Sequence, residues 1–364
     1  MKDNINKLII FTYCIVLLFS LISCNNSAPG LQSQPWSSGE SSETTSVVKS
    51  SSEKEDPSGK DDLWANKKLT VGYVSPGASH SWNAVLTKSL QDASKDWNVL
   101  LHVKGDTAND NQIVILNEFI EKDTDIIALC ATQLSGWNEI VDSINNADIP
   151  LVLIERDIEC NNESIISLNI TPDYYKEGEM AGEWLSEYLE KEGKLEEINI
   201  SEISGMEELN VVQKIGNGFR EAIKETSNIE ITISRDGYFT QSGGYEVMKQ
   251  ILLETKDIDV LFCHNDDMAL GAIKAIEEAG LVPGEDILII SVDGSDKILE
   301  YIAEGKVACS VECNPLMGDL FMEACVRLAN GEEIEREIHP VDRVFDITNA
   351  QAELDARKEN GYGY

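Results

Sequence analysis

Two α/β lobes, each a doubly wound parallel sheet with helices on both faces, are the fold class this sequence predicts. Three observations lead there. Short apolar runs alternate with amphipathic helical stretches from Leu69 onward, and the alternation restarts at Ile198. Two of the runs also end abruptly in polar side chains, at Leu261-Phe262-Cys263-His264-Asn265-Asp266-Asp267-Met268 and at Ile290-Ser291-Val292-Asp293-Gly294. Strand–helix alternation of this regularity implies a parallel sheet covered on both faces, and its repetition implies two lobes. Ligands of such sheets bind at the C-terminal strand ends, where Asn265, Asp266, Asp267 and Asp293 would form one rim. Carboxylates and an amide gathered there suit a ligand covered in hydroxyls.

The elements follow in order. Leu69 to Val74 reads as a strand and Asn83 to Trp97 as a helix. Strands follow at Leu100–Val103, Ile126–Ala131 and Leu151–Ile154. After the restart at Ile198–Ile203 comes a helix from Val211 to Thr226, then strands at Ile229–Ser234, Val260–Cys263, Ile287–Val292 and Val307–Glu312. Between Val260–Cys263 and Ile287–Val292, Ala269, Ala272, Ile273 and Ile276 share one helical face, which Gly280 and Pro283 end.

A chain of 364 residues accommodates two domains, and 42% hydrophobic content supplies their cores. The formal charge of −36 argues against a phosphate-backbone binder, which clusters Lys and Arg, and describes a solvated acidic surface. Lys2 and Lys7 precede an apolar run from Leu8 to Ile22 that ends at Leu21-Ile22-Ser23-Cys24. At about 15 residues the run is shorter than the roughly 20 a spanning helix needs. Residues 1–23 therefore read as a secretory signal, and Cys24 at the cut resembles the lipidated cysteine of bacterial lipoproteins. Residues 24–65 are rich in Ser, Glu, Thr, Pro and Gly. They cannot bury enough apolar area to offset chain entropy, and read as a tether to the extracytoplasmic face of the cell membrane.

Six cysteines follow Cys24: Cys130, Cys160, Cys263, Cys309, Cys313 and Cys325. Cys130 and Cys263 sit in apolar strand-like runs, where a thiol behaves as a small hydrophobe. Buried thiols are expected, with a disulfide open. Cys309-x-x-x-Cys313 matches no zinc pattern, and neither a metal nor a cofactor is expected.

Stretches recurring in order across the folded region carry a family resemblance. They are Ser81-Trp82-Asn83-Ala84, Gly136-Trp137-Asn138-Glu139, Ala147-Asp148-Ile149-Pro150, His264-Asn265-Asp266-Asp267-Met268 with Gly271-Ala272-Ile273, and Ser310-Val311-Glu312-Cys313-Asn314-Pro315. From about Lys68 on, the chain resembles the periplasmic sugar-binding proteins of the ribose-binding class (type 1 periplasmic binding proteins), and within them the galactofuranose-binding members. The resemblance implies two lobes joined by a three-segment hinge: residues 68–171 with 315–339, and residues 172–314 with 340–364. It implies a monomer that closes on a monosaccharide and delivers it to ABC permease subunits. A sensory lipoprotein presenting sugar to a receptor kinase or chemoreceptor would look the same.

The family's first strand-to-helix loop, which contacts sugar, falls on Ser79, His80, Ser81, Trp82 and Asn83. An indole face packs well on the C–H side of a sugar, though Trp82 could instead be a buried residue at a helix start. The family's Asp-Arg pair falls on Glu155-Arg156, and Arg156 offers a fork of donors for two adjacent oxygens; a surface salt bridge is the alternative. Asn265 and Asp293 match the ligand amide and carboxylate of the second lobe, Asp266 and Asp267 suit helix capping, and Glu312 is a weaker contact. Three positions depart from the galactofuranose-binding pattern: Asn83 and Ile215 stand where it has Arg, and Glu155 where it has Asp. Catalysis is not expected, since Gly-x-Ser-x-Gly, P-loop and His-Glu-x-x-His motifs are missing. Sugar-responsive repressors share the core but carry a basic DNA-binding module, where this chain has a signal and an acidic tether.

Overall fold

The computed structural model describes residues 68–77, 81–122, 124–194, 197–207, 209–226 and 228–364. The signal, Cys24 and the tether lie outside the described residues, as do Ser79 and His80. In chain order the elements are β1 (Thr70–Ser75), α1 (Ser81–Asp96), β2 (Leu100–Gly105), α2 (Asn109–Glu121), β3 (Ile126–Leu129), α3 (Asn138–Asn146), β4 (Leu151–Ile154), β5 (Ile166–Ile170), α4 (Tyr174–Lys191), β6 (Ile198–Ser204), α5 (Asn210–Ile223), β7 (Ile229–Asp236), α6 (Gln241–Glu254), β8 (Val260–Cys263), α7 (Asp266–Glu278), β9 (Leu288–Asp293), α8 (Asp296–Ala303), β10 (Cys309–Glu312), α9 (Gly318–Ala329), β11 (Glu337–Ile338), β12 (Val344–Asp346) and α10 (Ala350–Asn360).

They form two six-stranded sheets, ordered β11-β5-β4-β3-β1-β2 and β12-β10-β9-β8-β6-β7. Every pairing is parallel except that of β12 with β10. Each sheet is covered on both faces, which is why its central strands read as unbroken apolar runs. In the first, Val71, Tyr73, Ala128 and Val152 pack on one face with Leu86, Leu90 and Phe321, while Val74, Ile127 and Leu129 pack on the other with Leu116, Phe119 and Ile140. In the second, Leu261, Cys263 and Ile289 face Ala272 and Ile276, and Ile200, Phe262 and Ile290 face Leu185 and Phe219. Strand order reverses between β1 and β3 and between β6 and β8, and at such switch points the loops at the strand C-termini splay into a crevice.

The chain passes between the sheets three times, after β5, after β10 and after β11. These segments are laced together. The His339 ring nitrogen Nδ1 donates to Thr171 O (2.8 Å), Asn314 N donates to Asp342 Oδ1 (3.0 Å), and Asn314 Nδ2 donates to Val341 O (3.0 Å). Tyr362, beyond α10, donates its hydroxyl to Asp92 on α1 (2.9 Å).

Helices α4 and α5 meet through glycines. A Cβ on Gly178 would lie 2.0 Å from Ile215 O, and one on Gly218 would lie 2.0 Å from Tyr175 O. Gly218→Ala is therefore expected to destabilise the protein by about 1–3 kcal/mol, because backbone rather than a flexible side chain must move. Denaturant unfolding checks this; an unchanged midpoint would mean the helices are not this close. Ile215 itself is 2% exposed within that core, so the position that the register gives to a ligand Arg is filled by packing.

Candidate functional site

On the first sheet, the site is built from the ends of β1 and β4. Ser81 is exposed at the start of α1. The half-buried Trp82 ring packs on the core of this sheet, and Nε1 donates to Cys313 O at 2.7 Å, on the segment leaving the second sheet. Indole thus bridges the two halves, a role between the two readings of the sequence. Asn83 is 4% exposed and its Oδ1 has no hydrogen-bond partner. An unpaired buried acceptor costs about 1–3 kcal/mol, which a donating ligand hydroxyl would recover.

At the end of β4, Glu155 adopts φ 69°. Its Oε2 accepts from Cys130 Sγ (2.9 Å), its Oε1 accepts from Arg156 Nε (3.1 Å), and its backbone carbonyl accepts from Thr171 Oγ1 (3.1 Å). Among the described residues the two terminal nitrogens of Arg156 carry no protein hydrogen bond, and the side chain is 45% exposed. Glu155 holds the Arg156 stem and leaves its donor fork available.

On the second sheet, Asn265 caps α7, its Oδ1 accepting from Met268 N at 3.0 Å. That leaves the amide NH2 as a donor. Asp266 departs from the expected capping role. It is buried and accepts from Ser291 Oγ (2.5 Å), Ser310 Oγ (3.0 Å) and Ser295 N (2.6 Å), tying β8 to β9 and β10. The cap had already been taken by the residue before it. Asp267 lies exposed in the first turn of α7, where its charge suits the helix dipole.

Asp293 ends β9 with φ 123°, a region sparsely populated by residues with side chains and costing of order 1–3 kcal/mol. Its carbonyl accepts from Cys313 N (3.1 Å) and from the Tyr364 hydroxyl (3.1 Å). Burial, and then the charge of Asp266, push its carboxyl well above the usual carboxylate range. Glu312 differs from expectation. It is 1% exposed, with Oε1 and Oε2 accepting from Arg343 Nη2 and Nε (2.7 Å each) and Oε1 from Arg357 Nη2 (3.4 Å). Its carboxylate anchors two arginines.

Four neighbours escaped the sequence reading. Cys313 joins the two halves, since it accepts from Trp82 and donates to Asp293. Tyr174, opening α4, has its hydroxyl pushed well up by burial and by Cys313, Glu155 and Glu177, groups drawn from both sheets. Glu177 is fully buried beside the Cys313 thiol, which favours its charged form, but burial, then Asp342 and Asp293, push it well above its ordinary value. Burial likewise pushes Asp342 up to about 7. One signal for Glu177 existed: it shares the apolar face of α4 with Gly178, Ala181 and Leu185. The groups comprise an aromatic ring, a guanidinium fork, amide donors and carboxyls, the chemistry that pairs with hydroxyl groups.

Known proteins resemble this chain in sequence and fold. A family model described as a periplasmic binding protein domain matches residues 71–333. The galactofuranose-binding protein YtfQ of Escherichia coli is 32% identical over 299 residues, which is 81% of this chain and 93% of that protein. A crystal structure from Mycobacterium smegmatis in complex with β-D-fucofuranose superposes with a TM-score of 0.69 at 33% identity, covering 80% of this chain and 96% of the other. The periplasmic component of an arabinose ABC transporter from a Shewanella species, bound to α- and β-L-arabinofuranose, gives 0.70 at 30% identity, covering 80% and 96%.

Proposed function

The chain belongs to the periplasmic binding protein domain family, and on that premise we propose that it captures a small sugar in furanose form by hinge closure and hands it to the membrane subunits of an ABC importer. The observation that carries this reading is the run Trp82–Cys313–Asp293, in which a side chain from the first sheet and a strand end of the second meet on one hinge residue. Polar groups on both sides of a hinge replace a sugar's water only when the halves close, so ligand and closure favour each other.

The relatives bound to fucofuranose and arabinofuranose support the ring form. Asn83 supports a distinct hydroxyl pattern, because it presents an acceptor where the galactofuranose-binding pattern has a cationic donor. The reading includes lipid attachment through Cys24 and a monomeric binding protein outside the cytoplasmic membrane. No described helix is long and apolar enough to cross a membrane.

Thermal-shift screening of residues 66–364 against pentoses and hexoses that populate furanose forms tests the ligand class. L-Arabinose, D-fucose or D-galactose is expected to raise the midpoint, as any ligand selective for the native state does. Amino acids and nucleosides in the same screen are expected to have no effect. No stabilisation by any sugar would overturn the proposal, and mass spectrometry of the membrane-extracted chain checks for diacylglycerol on Cys24.

A further inference from the structure

The turn Asp293–Asp296 is held from outside its sheet by α10 and the residues after it. Arg357 is 4% exposed; its Nη1 donates to Gly294 O at 2.7 Å and to Asp296 Oδ1 at 3.0 Å. The Tyr364 ring lies 4.2 Å from the Arg357 guanidinium carbon and its hydroxyl accepts from Nη2 at 3.0 Å. That same hydroxyl donates to Asp293 O at 3.1 Å, and Tyr364 O accepts from Asp296 N at 2.6 Å. Between them, Gly363 passes so close that a Cβ would lie 2.2 Å from Asp296 Oδ2. Two successive carbonyls and a nearby amide of the turn are therefore fixed by one short stretch of chain.

Such bracing has a physical purpose. Asp293 sits at φ 123°, and a side-chain-bearing residue stays there only where its surroundings over-determine it. The bonds of β9 and β10 alone leave the Asp293 carbonyl with one partner, Cys313 N, and leave Gly294 O to Arg357. The Glu312 carboxylate, which the sequence places among the ligand contacts, instead helps seat Arg357.

We propose that Arg357 and Tyr364 are positioning residues for the sugar site, aiming the Asp293 carboxyl by locking the backbone on either side of it. The proposal rests on Asp293 being a ligand carboxyl, and extends the site to a helix and tail whose side chains do not touch sugar. In an optimised site, a misaimed acceptor shows chiefly as faster ligand release.

The test uses the full chain in mild detergent and Tyr364→Phe, which removes the hydroxyl and keeps the ring on Arg357. L-Arabinose, D-fucose and D-galactose are the probes, with binding followed by calorimetry and stopped-flow fluorescence. The variant is expected to bind roughly tenfold more weakly, through a higher dissociation rate, with the ligand-free protein still folded and its unfolding still cooperative. Hydrogen exchange at the Asp296 amide, which Tyr364 O holds, is expected to rise in the ligand-free protein while the rest of the second sheet keeps its protection. Arg357→Lys, which keeps the charge but loses the fork, is expected to shift the same two readouts. Unchanged affinity, unchanged exchange at this turn, or a uniform loss of protection across the second sheet would overturn the proposal. Should the wild-type chain bind none of the three sugars, the furanose reading fails by itself, and the exchange measurement still decides whether the tail locks the turn.

Discussion

Asp293→Ala is expected to abolish sugar-induced stabilisation, raising Kd by about 10–100-fold or more through the loss of a half-buried acceptor worth roughly 1.5–3 kcal/mol. Arg156→Ala is expected to do the same from the opposite side of the cleft, because its terminal nitrogens are free of protein partners among the described residues. Asp293→Asn is the informative intermediate. Asn tolerates positive φ better than Ala, and an amide oxygen keeps an acceptor where the ligand-free carboxyl is biased toward its protonated form. A smaller loss for Asn than for Ala separates the acceptor from the backbone. Asp267→Ala, on an exposed first turn, should leave affinity within a factor of two or so. Isothermal titration with the stabilising sugar checks all four. Equal affinities for wild type and Asp293→Ala would remove Asp293 from the site.

How much of this was legible depended on whether a feature lives in the local pattern. Leu151–Ile154 and Val260–Cys263 are apolar on both faces, and their bounds can be read straight from the sequence. The strand Ile166–Ile170 is half-buried at alternate positions and escapes notice, as do β11 and β12, two and three residues long, which exist only because hinge segments bring them to a sheet edge. Helix α10 buries only Ala350 and Arg357, so no apolar stripe announces where it docks. Among the candidate residues, Asn265 and Asp293 stand out in the sequence as polar residues ending apolar strands. Asp266 looked like a helix cap because its neighbours in sequence permit it; serines on two other strands decide otherwise. Glu312 stands at the right strand end, yet arginines 31 and 45 residues away claim its carboxylate. Three-dimensional competition for a side chain leaves no trace in spacing.

Acidity of the buried carboxyls gives the last expectation, a ligand-free protein more stable at pH 5.5 than at pH 8. Burial raises Asp342 from an ordinary 3.8 to about 7, and raises Glu177 and Asp293 well above their ordinary values. The folded state therefore binds more protons than the unfolded chain, and stability must fall as pH rises through that interval. At about 1.4 kcal/mol for each pKa unit, Asp342 alone sets a ceiling near 4 kcal/mol, reduced because the group is partly solvated. Glu202 works the other way. Burial pushes it up, but bonds from His264, Arg220 and Ser234 overcome this and hold it at about 2. Its contribution is present above about 4.5 and is lost as pH falls toward 2. The two trends place the stability maximum near pH 4. Asp342→Asn should flatten the alkaline side, with its largest gain at pH 8, since the amide never has to lose a proton inside the hinge. Unfolding midpoints between pH 4 and 8 decide it: a wild-type midpoint that rises from pH 5.5 to 8 would mean these carboxyls are ionised and solvated, and that the hinge is more open to water than the structure has it.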